Sequence, residues 1–221
     1  MLAHHRGISG YTTPIVIIKS VYDKQDDILR AIGSLHCPEG FECDMTYGNG
    51  SFWKKIPRPR LCFDIDPQVP EATQGDSTNL PLEPSSLSNV VFDPPFLTYV
   101  RSGRDHGGGE MVMSRRFGGY WTYEELTRHY ALSAIEAYRI LKPKGIMIFK
   151  CQDIIHNHKM HCTHNMVINM AGMVGFRLKD LFILLAKSRM TDGRKQQHAR
   201  IFHSYFLVLE KLVINKNKQT P

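Results

Sequence analysis

A carboxylate, two prolines and an aromatic ring stand in one row in this chain, Asp93-Pro94-Pro95-Phe96. The apolar run 90–92 before them reads as a buried strand that ends on the acid. Two prolines then forbid a helix and remove two backbone donors, so the carbonyls of a stiff turn follow the carboxylate directly. An acidic acceptor, a rigid carbonyl and a flat stacking surface thus meet at the end of one strand. This set suits an aromatic ligand that offers N–H donors.

The elements that must position these residues follow in order. Residues 1–19 read as an arm with a β-branched run at 15–18. Ser20 is the expected cap of a first helix, with Asp23 three positions on and Ile28, Leu29, Ile32 and Leu35 on its apolar stripe. Cys37-Pro38-Glu39-Gly40 ends that helix, and 41–45 reads as a strand leading into a turn with two glycines, Gly48 and Gly50. A second strand, 61–65, ends in Asp64-Ile65-Asp66-Pro67, and Asp76-Ser77 precedes the strand that carries Asp93. Strand, glycine turn, helix, strand and acid form the logic of a doubly wound nucleotide site, in which glycines let the backbone approach a ligand closely. A nicotinamide site is the competing reading, but its fingerprint wants a third small residue where this chain has Trp53.

Further on, Thr122 with Glu125 forms a capping box for a helix whose face carries Leu126, Tyr130, Ala134, Ala137 and Leu141. Lys142-Pro143-Lys144-Gly145 stops it, and 146–149 is a wholly apolar strand. A histidine-rich stretch, 156–164, runs into a helix ending near Gly175, and 181–186 and 201–210 read as two final strands. The expectation is an α/β fold in one domain, 20–211, with a solvated tail at 212–221.

Composition bounds the partners. Lys plus Arg number 28 against 21 Asp plus Glu, giving a net charge of +7 in 221 residues, with an isoelectric point near 9.2. A basic balance suits a polyanion. Five cysteines, an odd count, fit reduced thiols of a cytoplasmic protein. No apolar run approaches the length of a membrane span, so no membrane partner is expected.

Asp93-Pro94-Pro95-Phe96 resembles the signature of the class I S-adenosylmethionine-dependent amino-methyltransferases, which modify exocyclic amines of nucleobases. The resemblance covers about 20–211. It implies a Rossmann-like fold: a seven-stranded, mostly parallel sheet with a terminal antiparallel hairpin and helices on both faces. It implies S-adenosylmethionine as cofactor. Asp44-Met45-Thr46-Tyr47-Gly48-Asn49-Gly50 looks like the family's cofactor loop, so Asp44, Thr46, Gly48, Asn49 and Gly50 are cofactor-site candidates, with Asp44 and the turn on the methionine part. Asp64, with Asp66 beside it, would take the ribose hydroxyls, and Asp76 with Ser77 the adenine edge. Asp93, Pro94, Pro95 and Phe96 would be catalytic. A glycine is more usual where Lys144 stands. An Asp before Pro-Pro leans toward adenine N6 over cytosine N4. DNA methyltransferases of this kind usually carry a target-recognition domain, for which the chain has no room, so a homodimer or a specificity-supplying partner is an expectation.

The stretch 97–121 is an insertion longer than ordinary connections, which marks a functional or mobile loop. Its Arg101, Arg104, Arg115 and Arg116, interleaved with aromatics including Tyr120 and Trp121, fit a nucleic-acid strand through phosphates and bases. A second basic stretch, 187–200, could flank the same cleft. His156, His158, His161, Cys162 and His164 match no standard zinc spacing, and no metal is expected there. Three functions stay open: a DNA adenine N6 methyltransferase first, an RNA base methyltransferase (N2-guanine or N6-adenine) second, and a non-catalytic nucleic-acid-binding subunit last.

Overall fold

The computed structural model describes residues 17–98, 119–186 and 196–213. The elements are β1 (Val21–Tyr22), α1 (Gln25–His36), β2 (Cys43–Asp44), β3 (Leu61–Asp64), β4 (Thr73–Gln74) and β5 (Leu87–Phe92). After them come α2 (Tyr123–Ile140), β6 (Leu141–Cys151), β7 (Ile154–His156), β8 (Lys159–His161), α3 (Thr163–Val174), β9 (Phe176–Leu185) and β10 (His203–Lys211). One sheet runs β1-β9-β10-β6-β5-β2-β3-β4. Only β10 is antiparallel to its neighbours, so the terminal hairpin closes a parallel sheet as expected. The sheet has eight strands rather than seven, because β1 adds to the edge of β9 in parallel.

That eighth strand also corrects the helix start. Ser20 does not cap α1; its carbonyl accepts from Ile183 N at 2.7 Å, because the residues after it are drawn into the sheet. The helix begins at Gln25 without a side-chain cap, and Asp26 and Asp27 in its first turn complement the dipole instead. Ile28, Leu29 and Ile32 are fully buried under one sheet face, but Leu35, expected on the stripe, is half exposed. On the other face, α2 buries Leu126, Tyr130, Ala134, Ala137 and Ile140, and α3 buries Val167, Met170 and Ala171, against β5 and β6. The core is thus two apolar layers on either side of the central strands.

Local chemistry sets the junctions. The box before α2 is formed: Thr122 Oγ1 accepts from Glu125 N, and Glu125 Oε2 accepts from Trp121 N at 2.8 Å and from Thr122 N at 3.4 Å. At the α2–β6 junction the pairing skips from Leu87↔Leu141 to Asn89↔Ile146, and Lys144 stands in the extra residues with φ +66°. That backbone is left-handed, which is the reason a glycine suits the position better than a lysine. The histidine-rich stretch spans the β7–β8 hairpin, whose turn residues Asn157 and His158 both have positive φ, and the start of α3. Gly175, at φ +114°, ends α3. Cys37, Cys43, Cys62 and Cys151 are buried free thiols and Cys162 is exposed. Among the described residues, no helix is long and apolar enough to cross a membrane.

Chemical denaturation distinguishes the two caps: Thr122→Ala lowers the unfolding free energy by about 1 kcal/mol, whereas Ser20→Ala, which keeps the carbonyl that β9 uses, shifts it by less than about 0.5 kcal/mol. Equal losses would contradict the assignment.

Candidate active site

The C-terminal ends of β2, β3, β5 and β6 open onto one cavity of about 680 Å³. Parallel pairing builds it. Cys43 and Asp44 pair with Val90 and Val91, and the ladder continues as Met45 N donates to Val91 O and Tyr47 N to Phe63 O. One residue further, Asp93 N donates to Thr46 Oγ1 at 2.9 Å, tying the start of the glycine turn to the start of the Asp-Pro-Pro-Phe turn. Both turns therefore lie at one level of the sheet.

The glycine turn works through backbone shape. Gly48 and Gly50 have φ of +57° and +71°. At Gly48 a Cβ would meet nothing within 4 Å, and this residue lines the cavity, so its bare backbone faces open space. At Gly50 a Cβ would stand 2.9 Å from Tyr47 Oη. Asn49 Oδ1 accepts from Ser51 N, and the segment that follows is a three-residue 3-10 turn, Ser51–Trp53, where a helix was expected. Trp53 explains the difference: its indole is buried and donates to Asp44 Oδ2 at 2.6 Å, which pulls the chain back toward β2.

The acids divide into two groups. Asp44 is 1% exposed, with Oδ1 accepting from Thr46 N and Oδ2 from Trp53, so it braces the turn from behind rather than lining the cavity. Burial pushes its carboxyl up to about 7 against those two donors, and the nearby carboxylates of Asp93 and Asp64 add to the rise. Asp64, Asp66, Asp76 and Asp93 line the cavity itself. Asp64 links two turns by accepting from Gly48 N at 2.7 Å and Asp66 N at 3.0 Å. Asp76 accepts from Thr78 N and Thr78 Oγ1, which hold it below its ordinary value.

Asp93 is raised by burial, against the pull of Lys150. Pro94, Pro95 and Phe96 share its wall, and Tyr130 Oη donates to Pro95 O at 2.9 Å, which pins the turn to α2. Ser77 is buried, with Oγ 2.9 Å from both His129 Nε2 and Ser133 Oγ. His129 Nδ1 in turn meets Tyr120 Oη. Burial lowers the His129 imidazole and raises the Tyr120 phenol, so both are neutral near pH 7. We assign the phenol as donor to Nδ1, which leaves the imidazole proton on Nε2 for Ser77.

Of the candidates read from sequence, the cavity gathers Thr46, Gly48, Asp64, Asp66, Asp76, Ser77, Asp93, Pro94, Pro95, Phe96 and Tyr120. Asp44, Asn49 and Gly50 shape the turn beside it, Trp121 is 40% exposed outside it, and Arg101, Arg104, Arg115 and Arg116 lie outside the described residues. The lining also holds residues that sequence reasoning did not single out, among them Gln68, Thr78, His129 and Lys150. Lys150 had a signal: it is the charge that directly follows the apolar strand 146–149, as Asp93 follows 90–92.

No protein-family model matches the sequence, and no curated protein sequence matches it. Solved structures do. The cyclase SpnF is similar over 85% of this chain and 82% of its own, with a TM-score of 0.52 at 12% identity. A Thermotoga maritima protein described as an S-adenosylmethionine-dependent methyltransferase matches over 83% of this chain and 86% of its own, with a TM-score of 0.47 at 15% identity. The fold is Rossmann-like, a mainly parallel sheet with helices on both faces and a terminal antiparallel hairpin. A Thermus thermophilus protein described as a DNA modification methylase, crystallised with S-adenosylmethionine, matches over 63% of this chain and 52% of its own, with a TM-score of 0.43 at 17% identity. This chain spans about half the length of that Thermus thermophilus protein. At these identities the likeness is one of fold.

Asp44 gives the fold a pH dependence with a definite sign. Its folded value, about 7, lies above the ordinary 3.8, so between those values the folded chain holds a proton that the unfolded chain releases. The stability due to this group is full below pH 3.8 and is lost as pH rises through about 7. Urea midpoints measured from pH 4 to pH 8 carry this downward component, and Asp44→Asn, which has no carboxyl to titrate, lacks it. A variant with the wild-type slope would contradict the assignment.

Proposed function

We propose that this protein transfers the methyl group of S-adenosylmethionine to an exocyclic amine of a DNA base, adenine N6. The observation that carries this reading is the sharing of one cavity by Asp93-Pro94-Pro95-Phe96 and by the candidate cofactor residues Gly48, Asp64, Asp66, Asp76 and Ser77. The donor set fits such a cofactor. A bare Gly48 leaves room for the methionine part, Asp64 has lone pairs beyond its two amide partners for ribose hydroxyls, and Ser77 is already oriented by His129 and Ser133. When bound, the cofactor supplies an electrophilic methyl group on a sulfonium.

An exocyclic amine conjugates its lone pair into the ring and is a poor nucleophile. Asp93 and the carbonyl of Pro94 accept hydrogen bonds from its two hydrogens, which favours a pyramidal nitrogen with its lone pair directed at the methyl. Pro94 and Pro95 fix that geometry beforehand, and the bond from Tyr130 to the Pro95 carbonyl anchors the turn to α2. Phe96 offers its ring to the base. In a duplex the base must first leave the stack, at a cost of a few kcal/mol that stacking and phosphate contacts offset. The basic aromatic stretch 97–121 supports a nucleic-acid substrate by composition.

With purified protein, labelled cofactor and either DNA or RNA, Asp93→Ala cuts methyl transfer by at least about 100-fold, the scale of losing one preorganised electrostatic contact. Cofactor affinity measured by calorimetry stays at the wild-type value. Full turnover by the variant removes Asp93 from the chemistry, and incorporation into RNA alone replaces DNA as the substrate.

A further inference from the structure

We infer that Lys150 is a positioning residue for Asp93, holding its carboxylate ionised and fixed against the cavity wall. The inference rests on the amine-methylation reading above. Phe92 and Phe149 are paired across β5 and β6, so the next residue on each strand, Asp93 and Lys150, must be neighbours. Lys150 Nζ lies 3.2 Å from both Asp93 oxygens. It also donates to Gln25 Oε1 of α1 at 3.0 Å. Nζ stands 5.1 Å from the centre of the Phe52 ring and 5.6 Å from that of Phe206. A strand turn, a helix, a 3-10 turn and β10 thus converge on one ammonium.

This differs from a surface ion pair. The two side chains are only 12% and 22% exposed, and the rings confine the lysine stem. The cavity needs such a charge. Asp64, Asp66 and Asp76 line its other walls, and Asp44 of β2 lies behind. Tyr130 of α2 faces Asp93 as a neutral phenol. Among the described residues, Lys150 is the only Lys or Arg lining the cavity. Burial favours a protonated Asp93, and a protonated carboxyl accepts an amine hydrogen poorly. Lys150 opposes that effect at the one acid proposed to meet the substrate.

Two variants and two readouts test this. Lys150→Met keeps the apolar stem between Phe52 and Phe206 without the charge, and Lys150→Arg keeps the charge. In carbon-13 NMR of aspartate-labelled protein, with the Asp93 carboxyl assigned through Asp93→Asn, that carboxyl titrates at higher pH in Lys150→Met, and Lys150→Arg returns it toward wild type. In steady-state methyl transfer, Lys150→Met loses roughly 10- to 100-fold in kcat at neutral pH. Its acid limb moves to higher pH, so the deficit shrinks as pH rises, and KM for S-adenosylmethionine is unchanged. An unshifted Asp93 titration in Lys150→Met overturns the inference, as does a kcat loss equal at every pH. A shifted titration in a protein whose wild type methylates no nucleic acid upholds the hold on Asp93 and removes the methyl-transfer reading.

Discussion

The pairing of β2 with β5 is the constraint on which the site depends. It sets the glycine turn and the Asp-Pro-Pro-Phe turn at the same height, and the bond from Asp93 N to Thr46 Oγ1 joins them. β3, on the far side of β2, then places Asp64 where it can accept from Gly48 N. β6, on the far side of β5, places Lys150 against Asp93. A slip of one residue between β2 and β5 would send each of these side chains to the opposite face of the sheet. Val90 and Phe92 fill one apolar layer and Val91 the other, so that slip would force side chains of different size into two layers already packed.

Electrostatics follows from that geometry. Gathering several carboxylates at one end of a sheet is unfavourable unless donors answer them. The chain answers most of them with backbone: Asp64 takes two amides, and Asp76 takes the amide and hydroxyl of Thr78. Asp44 takes an amide and an indole, yet full burial still lifts it toward neutrality. Asp93 alone faces a side-chain cation. Its own amide is spent on Thr46, and prolines follow it, so no amide of the next two residues can turn back to it as the amides after Asp64 and Asp76 do. The acid proposed to meet the substrate is thereby kept as an acceptor.

Much of this was legible in the sequence, and the failures share a cause. Asp93-Pro94-Pro95-Phe96, the two glycines, Asp64 and Asp76 could be placed because their geometry is tied to local backbone: prolines and glycines constrain dihedral angles wherever they occur. The Thr122–Glu125 box was readable for the same reason. What escaped depends on contacts distant in sequence. Ser20 looked like a cap until β9, more than 150 residues on, recruited Val21 and Tyr22 as a strand. The expected helix after the glycine turn gave way to Trp53 reaching back to Asp44. His129 and Lys150 enter the site only once α2 and β6 are laid beside β5, although the charge that ends each of two apolar strands was a usable clue. Lys144 is the converse case: the resemblance flagged its position, and its left-handed backbone gives the physical reason.

Delivery of a methyl group to an exocyclic amine of DNA is the function proposed for this cavity. Its most direct measurement is mass spectrometry of nucleosides from a methylation-deficient bacterial host expressing this protein, with genomic DNA and ribosomal RNA digested separately. N6-methyladenine is expected in the DNA and absent from a host carrying the empty vector. Methylated adenine in RNA alone, or no modified base in either pool from soluble, folded protein, would contradict it.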